Sequence, residues 1–299
     1  MSKIATCYTA QYSDSEVAHE TDSLFYAEDL RRYVKFQSSV SLKYCVADAI
    51  RYTRNGQYIC VPPGSFLLTN RGADMECLPS RPGNKILFLY FTDALVADVY
   101  RNRCQSDMAL LDEPCAPAAP IFLLEHLYGS HHALAGQLQT FAQRLSTAGE
   151  PKREVGPDIF YGLAESLLRM QQHLSRQMNR LHARTPATRE ELYRRLLQAE
   201  ALMRDLWRQE LSLHEMARHA CLSPYHFHRS FRAAYGQSPG QWFRLLKLEK
   251  AREMLTARRS TVREVALYCG FADVFSFSKA FRKVYGVAPS GVGRGDELV

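Results

Sequence analysis

Residues 213–231 read LHEMARHACLSPYHFHRSF, and residues 262–281 read VREVALYCGFADVFSFSKAF. Laid over one another, the two stretches align Phe227 with Phe277 and Phe231 with Phe281. Just beyond them Tyr235 aligns with Tyr285, Gly236 with Gly286 and Pro239 with Pro289, each pair fifty residues apart. Ala217 and Ala266 are forty-nine apart, so one extra residue stands in the second copy between its two apolar segments. A period of about fifty residues marks an internal repeat of one supersecondary unit.

Each copy predicts helix, tight turn, helix. Ala217 or Ala266 is small enough to let two helices approach closely, and Ser223 or Asp273 suits the N-cap of the second helix. Pro224 fits the first helical position of the first copy. Phe227 and Phe231, four apart, face inward and leave Tyr225, His228, Arg229 and Arg232 on the accessible side. In the second copy Phe277 and Phe281 face inward, with Phe275, Ser278, Lys279 and Arg282 outward. Residues 239–255 form a long amphipathic helix between the copies, carrying Trp242, Leu245, Leu246, Leu248, Ala251 and Leu255. It would hold both units at a fixed separation, so that each enters a successive major-groove segment of double-stranded DNA.

Charge agrees with that destination. Residues 189–299 hold 19 Lys and Arg against 12 Asp and Glu, whereas residues 1–188 hold 19 against 19, so the whole net charge of +7 sits at the C-terminal end. One domain is thereby suited to a polyanion and the other is not. Ser223, Arg232, Arg244, Lys247, Lys250, Arg282 and Lys283 are the candidates for the DNA backbone, with Arg252 a further cation on the spacer helix.

These residues closely resemble the AraC/XylS family of bacterial transcription regulators, over residues 191–294. The strongest matches are 213–231, Gly270-Phe271 through Phe281, Tyr285-Gly286 and Pro289-Ser290. The resemblance implies a seven-helix DNA-binding domain with two recognition helices. It also implies an N-terminal effector-sensing or dimerising domain related to cupin-like β-barrels. Mapped onto this chain, base reading falls to Tyr225, His228 and Arg229 in the first helix and to Val274, Phe275, Ser278 and Lys279 in the second. Arg229 is the best direct reader, because a guanidinium can address guanine O6 and N7 together. Two departures stand out: Val274 and Phe275 occupy positions where the family commonly has polar readers, and 289–294 has glycines where an aromatic residue commonly precedes the arginine.

The first half reads differently. From 29 to 91 short apolar segments (32–37, 57–61, 65–70, 75–78 and 85–91) alternate with Asn55-Gly56, Pro62-Pro63-Gly64, Arg71-Gly72 and Arg81-Pro82-Gly83-Asn84. Such turn signals at short intervals predict an antiparallel sheet folded on itself, a sandwich or small barrel. Helical pattern dominates 93–182. Asp93 is the expected cap of a helix toward Cys104, the prolines of 114–120 interrupt it, and 132–145 and 158–181 carry apolar residues at three- and four-residue spacing, joined by 149–157. Thr188 with Glu191 predicts the capping box of the next helix.

The fold class is therefore α+β, with a cupin-like β-barrel or sandwich and helices first, and an all-α domain of two helix-turn-helix units joined by a long helix second. The expected boundaries are an effector-sensing or dimerisation domain at 1–182, a linker at 183–188, the DNA-binding domain at 189–294 and a tail at 295–299. Tyr33, Tyr44, Arg51, Tyr58, Phe66, Phe88 and Tyr90 are the candidates for lining an effector pocket, with ordinary core packing the alternative for each aromatic. A homodimer through 158–181 is expected, and RNA polymerase is a partner if the protein activates transcription.

Several classes are disfavoured. Residues 30–91 contain no histidine, which argues against a three-histidine metal centre, and no phosphate loop is present. Eight scattered cysteines without a Cys-x-x-Cys pair point to buried, reduced thiols rather than disulfides or zinc. The adjacent His131-His132 points two ways on a helix and reads as surface or capping residues. No cofactor, metal or enzymatic activity is expected, and with no apolar run long enough to span a bilayer and no secretion signal, the expected location is the cytoplasm.

Overall fold

The computed structural model describes residues 5–8, 22–28, 33–104, 121, 123–147, 156–257 and 260–292. The proline-rich 114–120 segment, residues 149–155 of the expected connector and the stretch from Gly293 onward, including Arg294 and the tail, lie outside the described residues. The chain divides into two compact units, Met1–Leu174 and Ser175–Val299.

The first unit is built from β1 (Ala5–Tyr8), β2 (Ser23–Glu28), β3 (Val34–Gln37), β4 (Val40–Ala47), β5 (Ile50–Arg54), β6 (Gln57–Val61), β7 (Phe66–Thr69), β8 (Asp74–Leu78), β9 (Lys85–Phe91) and β10 (Leu127–Tyr128). They form two sheets, ordered β1-β2-β9-β4-β7-β10 and β3-β8-β5-β6. Of the expected alternatives, the strands thus take the two-sheet sandwich; no closed barrel is formed among the described residues. All pairings are antiparallel except β1 with β2. Asn55 (φ 49°) and Gly56 (φ 76°) make the two-residue turn between β5 and β6, in which Arg54 faces Gln57. Positive φ at both positions is what a tight hairpin with the natural strand twist requires, and Asn-Gly supplies it cheaply. β1 and β2 both lie before residue 29, where the β reading began.

Period-two alternation gives the six-stranded sheet two different faces. Phe25, Ala27, Cys45, Leu67, Ile86, Phe88 and Tyr90 meet Ile50, Tyr52, Val61, Met75 and Cys77 of the other sheet in a continuous core. The alternate residues Leu42, Tyr44, Phe66, Leu68, Leu87 and Leu89 are also buried. On that outer face Tyr128 stacks on Phe66, with ring centroids 5.2 Å apart.

Helix α1 is Asp93–Cys104, α2 is Ala133–Thr147 and α3 is Pro157–Asn179. The cap of α1 is Thr92, whose hydroxyl accepts from the Leu95 amide at 3.1 Å; Asp93, the expected cap, instead pairs with Arg71 at 2.9 Å. α2 packs against β4. α3 buries Phe160, Leu163, Ala164, Leu167, Leu168, Gln171 and Leu174. His131 is exposed and His132 half-buried, the latter edge-on to Tyr128. Cys45, Cys77 and Cys269 are buried, but Cys60 and Cys221 are exposed, which corrects the expectation of buried thiols at those two positions. No helix among the described residues is long and apolar enough to cross a membrane.

The second unit is helical: α4 (Pro186–Asp205), α5 (Leu213–His219), α6 (Pro224–Tyr235), α7 (Pro239–Thr256), α8 (Val262–Tyr268), α9 (Val274–Tyr285) and a 3₁₀ turn at Pro289–Gly291. α4 starts earlier than expected. Thr185, not Thr188, is its N-cap, and its side chain accepts from the Thr188 amide. Pro186 explains the shift, since its fixed φ favours the first helical position and its missing N–H costs nothing there.

Candidate nucleic-acid interface

The repeat seen in the sequence falls in the helix pairs α5-α6 and α8-α9, which pack with α4 and α7 into two three-helix copies, α4-α5-α6 and α7-α8-α9. Each middle helix opens with a reciprocal capping box. Ser212 Oγ accepts from the Glu215 amide at 3.2 Å while Glu215 accepts from the Ser212 amide at 2.8 Å; the equivalents at Thr261 and Glu264 are 3.3 and 2.7 Å. These hydrogen bonds hold both carboxyls below the usual carboxylate range.

Each middle helix also closes the same way. The Leu222 amide donates to Ala217 O at 2.9 Å and the Cys221 amide to Arg218 O at 3.0 Å; in the second copy Phe271 donates to Ala266 O and Gly270 to Leu267 O, both at 3.0 Å. This paired 6→1 and 5→2 pattern is the Schellman closure, whose left-handed residue is Cys221 (φ 53°) or Gly270 (φ 72°). The registers run forty-nine apart up to this point and fifty apart after it, so Ala272 is the extra residue.

Both second helices then start on a side-chain cap. Ser223 accepts from the His226 amide at 3.3 Å, and Asp273 from the Ser276 amide at 2.7 Å. The latter hydrogen bond holds the Asp273 carboxyl below its usual range, so a negative charge stands at the mouth of α9 and none at that of α6. Inward, Phe227 and Phe231 have ring centroids 5.4 Å apart at 54°, and Phe277 and Phe281 are 5.5 Å apart at 54°. Both helices end on glycine, Gly236 (φ 76°) and Gly286 (φ 75°).

Fixed on the inside, each second helix has a defined outside. On α6, Tyr225 is 76% exposed, Arg229 and Arg232 are exposed and His228 is half-buried. On α9, Phe275 is 78% exposed, Lys279, Arg282 and Lys283 are exposed, and Val274 and Ser278 are half-buried. The base-reading candidates of each helix therefore share one accessible side. His226, also exposed, escaped the sequence reading; its position three before Arg229 was the available signal.

The backbone candidates separate. Arg244 is exposed, and the exposed Ser223 has its oxygen engaged as a cap. Lys250 pairs with Glu253 at 2.8 Å. Lys247 is 7% exposed and turned into the protein, its amine over the Phe243 ring at 4.9 Å and beside Gly270, so its place corrects the expectation of a phosphate contact. The cause is one helical turn: Lys247 follows Phe243 by four residues and shares its buried face. Burial pushes its pKa down, with Glu210 opposing.

The seven pocket candidates of the first unit do not converge. Tyr33 and Tyr58 are exposed, and Arg51 donates to Pro79 O at 3.0 Å. Tyr44 and Phe66 lie on the outer face of the six-stranded sheet, Phe88 and Tyr90 between the sheets. Missing from the expectation is Lys43, fully buried, whose amine donates to Thr69 Oγ1 at 2.7 Å, Ser41 Oγ at 2.8 Å and Ser38 Oγ at 3.3 Å. Burial lowers its pKa to about 7 against the opposing charge of Glu125. Its signal was the period-two row Ser41, Lys43, Cys45 between Leu42 and Tyr44.

Comparison with known proteins places the second unit. Residues 216–295 match the family described as a helix-turn-helix domain. The chain is 34% identical over 95 residues to the HTH-type transcriptional regulator ArgR of Pseudomonas aeruginosa, covering 32% of this chain and 29% of that protein. It is 30% identical over 105 residues to the HTH-type transcriptional activator RhaS of Klebsiella pneumoniae, covering 35% and 38%. These matches thus span about a third of the length of the curated relatives. Among solved structures, an AraC-type transcriptional regulator from Chromobacterium violaceum aligns at 24% identity and a TM-score of 0.33, over 35% of this chain and 93% of that one. With its duplicated capping, turn and aromatic geometry, the segment 216–295 is an AraC-type helix-turn-helix domain.

Proposed function

We propose that the chain is a sequence-specific DNA-binding transcription regulator working in the cytoplasm. Its two three-helix copies act as helix-turn-helix units, with α6 and α9 in successive major-groove segments of double-stranded DNA and α7 as the spacer. The observation that carries this reading is the duplication of cap, turn and aromatic anchor, each ending in an exposed cation at the same point of its second helix, Arg229 or Lys279. A rigid inner face and a cationic outer face, repeated, suit a polyanion with a repeating groove. Arg229 reads guanine, and Arg232, Arg244, Arg282 and Lys283 hold phosphates. The test is selection of duplexes from a random library by the full chain: enrichment of one sequence family supports the reading, and binding without enrichment overturns it.

The first unit is read as the controlling part. A small organic effector between its sheets would meet Phe88, Tyr90 and the Lys43 amine, with Tyr44 and Phe66 out of reach. A second reading, in which this unit serves only dimerisation or a protein partner, is favoured by the divergence of the expected pocket residues. A homodimer through α3 has Ile159 and Tyr161 to use, because the helix's apolar stripe is already buried within the chain. RNA polymerase is the further partner if the protein activates. Duplex affinity measured across a panel of metabolites separates the two: a change of fivefold or more (roughly 1 kcal/mol of coupling) supports effector control, and unchanged affinity supports the second reading.

A further inference from the structure

Tyr225 and Phe275 are the most exposed large apolar side chains among the described residues, at 76% and 78%. They occupy equivalent places, the second residue of α6 and the second residue of α9, fifty apart in sequence. Each is followed four residues later, on the same side of its helix, by a cation, Arg229 or Lys279. Leaving one ring in water beside cations could be accidental; leaving one at the same place in both copies calls for an apolar partner that itself repeats.

The major groove offers one such partner. Among the edges of the four unmodified bases, the only apolar group presented there is the thymine C5 methyl. The N-terminal residues of a recognition helix are those that reach base edges. Resting on the DNA-reading assignment above, we propose that Tyr225 and Phe275 each cover one thymine methyl, so that the operator carries two thymines in direct repeat, about one helical turn or 10–11 base pairs apart. Phe275 has no polar atom on its ring and reads the methyl alone. Tyr225 adds a hydroxyl that can bond a neighbouring acceptor, but its contact with the methyl comes from the ring.

Deoxyuridine differs from thymidine by that methyl alone and keeps the same base pairing, so it isolates the contact. Duplexes selected by the full chain are resynthesised with deoxyuridine at the first thymine, the second, or both, and affinity is measured by fluorescence anisotropy. Each substitution is expected to weaken wild-type binding about fourfold, the worth of one buried methyl group, and the pair about fifteenfold. In Phe275→Ala the second substitution should no longer matter while the first still does; Tyr225→Ala should give the reverse, and Tyr225→Phe should keep both effects. Wild-type affinity indifferent to deoxyuridine overturns the proposal, as does sensitivity at one site only. A loss unchanged in the alanine variants also overturns it, and equal affinity for thymine and uracil duplexes with strong dependence on both rings would indicate wedging between base steps instead. Failure to select any sequence would count against the DNA-reading assignment itself, which separates the two claims. Both rings are exposed, so the variants should keep the wild-type fold, verified by circular dichroism.

Discussion

In the first three-helix copy the turn before the second helix passes through Cys221 at φ 53°, exposed to solvent; in the second copy the corresponding residue is Gly270 at φ 72°. A Cβ placed on Gly270 would stand 2.7 Å from the Arg208 carbonyl oxygen and 2.9 Å from the Lys247 amine. Both turns need the same left-handed backbone, but only the second is crowded. Identical hydrogen bonding thus sets the backbone of both copies, while the space around each turn decides which residue can stand there.

Gly270→Ala is the sharpest way to break that comparison. The left-handed backbone and the contact with the Arg208 carbonyl together should destabilise the second unit by about 2–4 kcal/mol. Both tryptophans, Trp207 and Trp242, belong to this unit, so their fluorescence during urea unfolding reports on it alone. A loss under 1 kcal/mol would mean the turn is not closed as described.

The two outer faces should separate next. Arg229→Ala is expected to weaken binding to the selected duplex about 5- to 150-fold and to relax the base preference at one position, as loss of a bidentate guanine contact does. Arg282→Ala should weaken all sequences alike and lower the slope of log affinity against log salt by about one. Titrations at several salt concentrations check both, and a uniform effect from Arg229→Ala would reverse its role.

The smallest effect belongs to the open turn. Cys221→Gly relieves a left-handed residue with a side chain but adds freedom to the unfolded chain, so a gain of about 0.5 kcal/mol is expected in the same urea experiment. A gain as large as the Gly270→Ala loss would show that the two turns are equally crowded.

The two units also differ in how much of them was legible. The repeat carried the helical unit, because Ala217, Ser223, Phe227, Phe231 and Gly236 each do one local job and recur with it. What escaped there was three-dimensional: Lys247 looked like a surface cation until Phe243 and Gly270 were placed beside it, and Pro186 moved the start of α4. In the first unit the turns were legible through Asn55-Gly56 and its counterparts, but the sheet's two faces were not. Tyr44 and Phe88 are both aromatic residues on central strands, and only the pairing register sends one outward and the other between the sheets. Lys43 was passed over for a related reason: the period-two row Ser41, Lys43, Cys45 was there to read, but a lysine inside a strand ordinarily means a solvated face.

Lys43 offers its own contrast with those exposed cations. Its native pKa of about 7 lies below the unfolded value of 10.5, so between these values the unfolded chain binds the extra proton and stability rises with pH. The slope should approach about 1.4 kcal/mol per pH unit between pH 7 and 9. Above pH 9 Cys45 and Cys77, pushed up to about 12 by burial, work the other way. Calorimetric unfolding of the first unit should show this rise, and Lys43→Met should remove it; the same slope in both would place the titration elsewhere.

The central claim is that each copy reads its own half of one operator. It is tested most directly by selecting duplexes from a random library with the wild-type chain, with Arg229→Ala and with Lys279→Ala, and comparing the enriched sequences. Two half-sites about one helical turn apart, with one degraded by Arg229→Ala and the other by Lys279→Ala, are the predicted result. A single half-site, or a change in the same half from both variants, would contradict it.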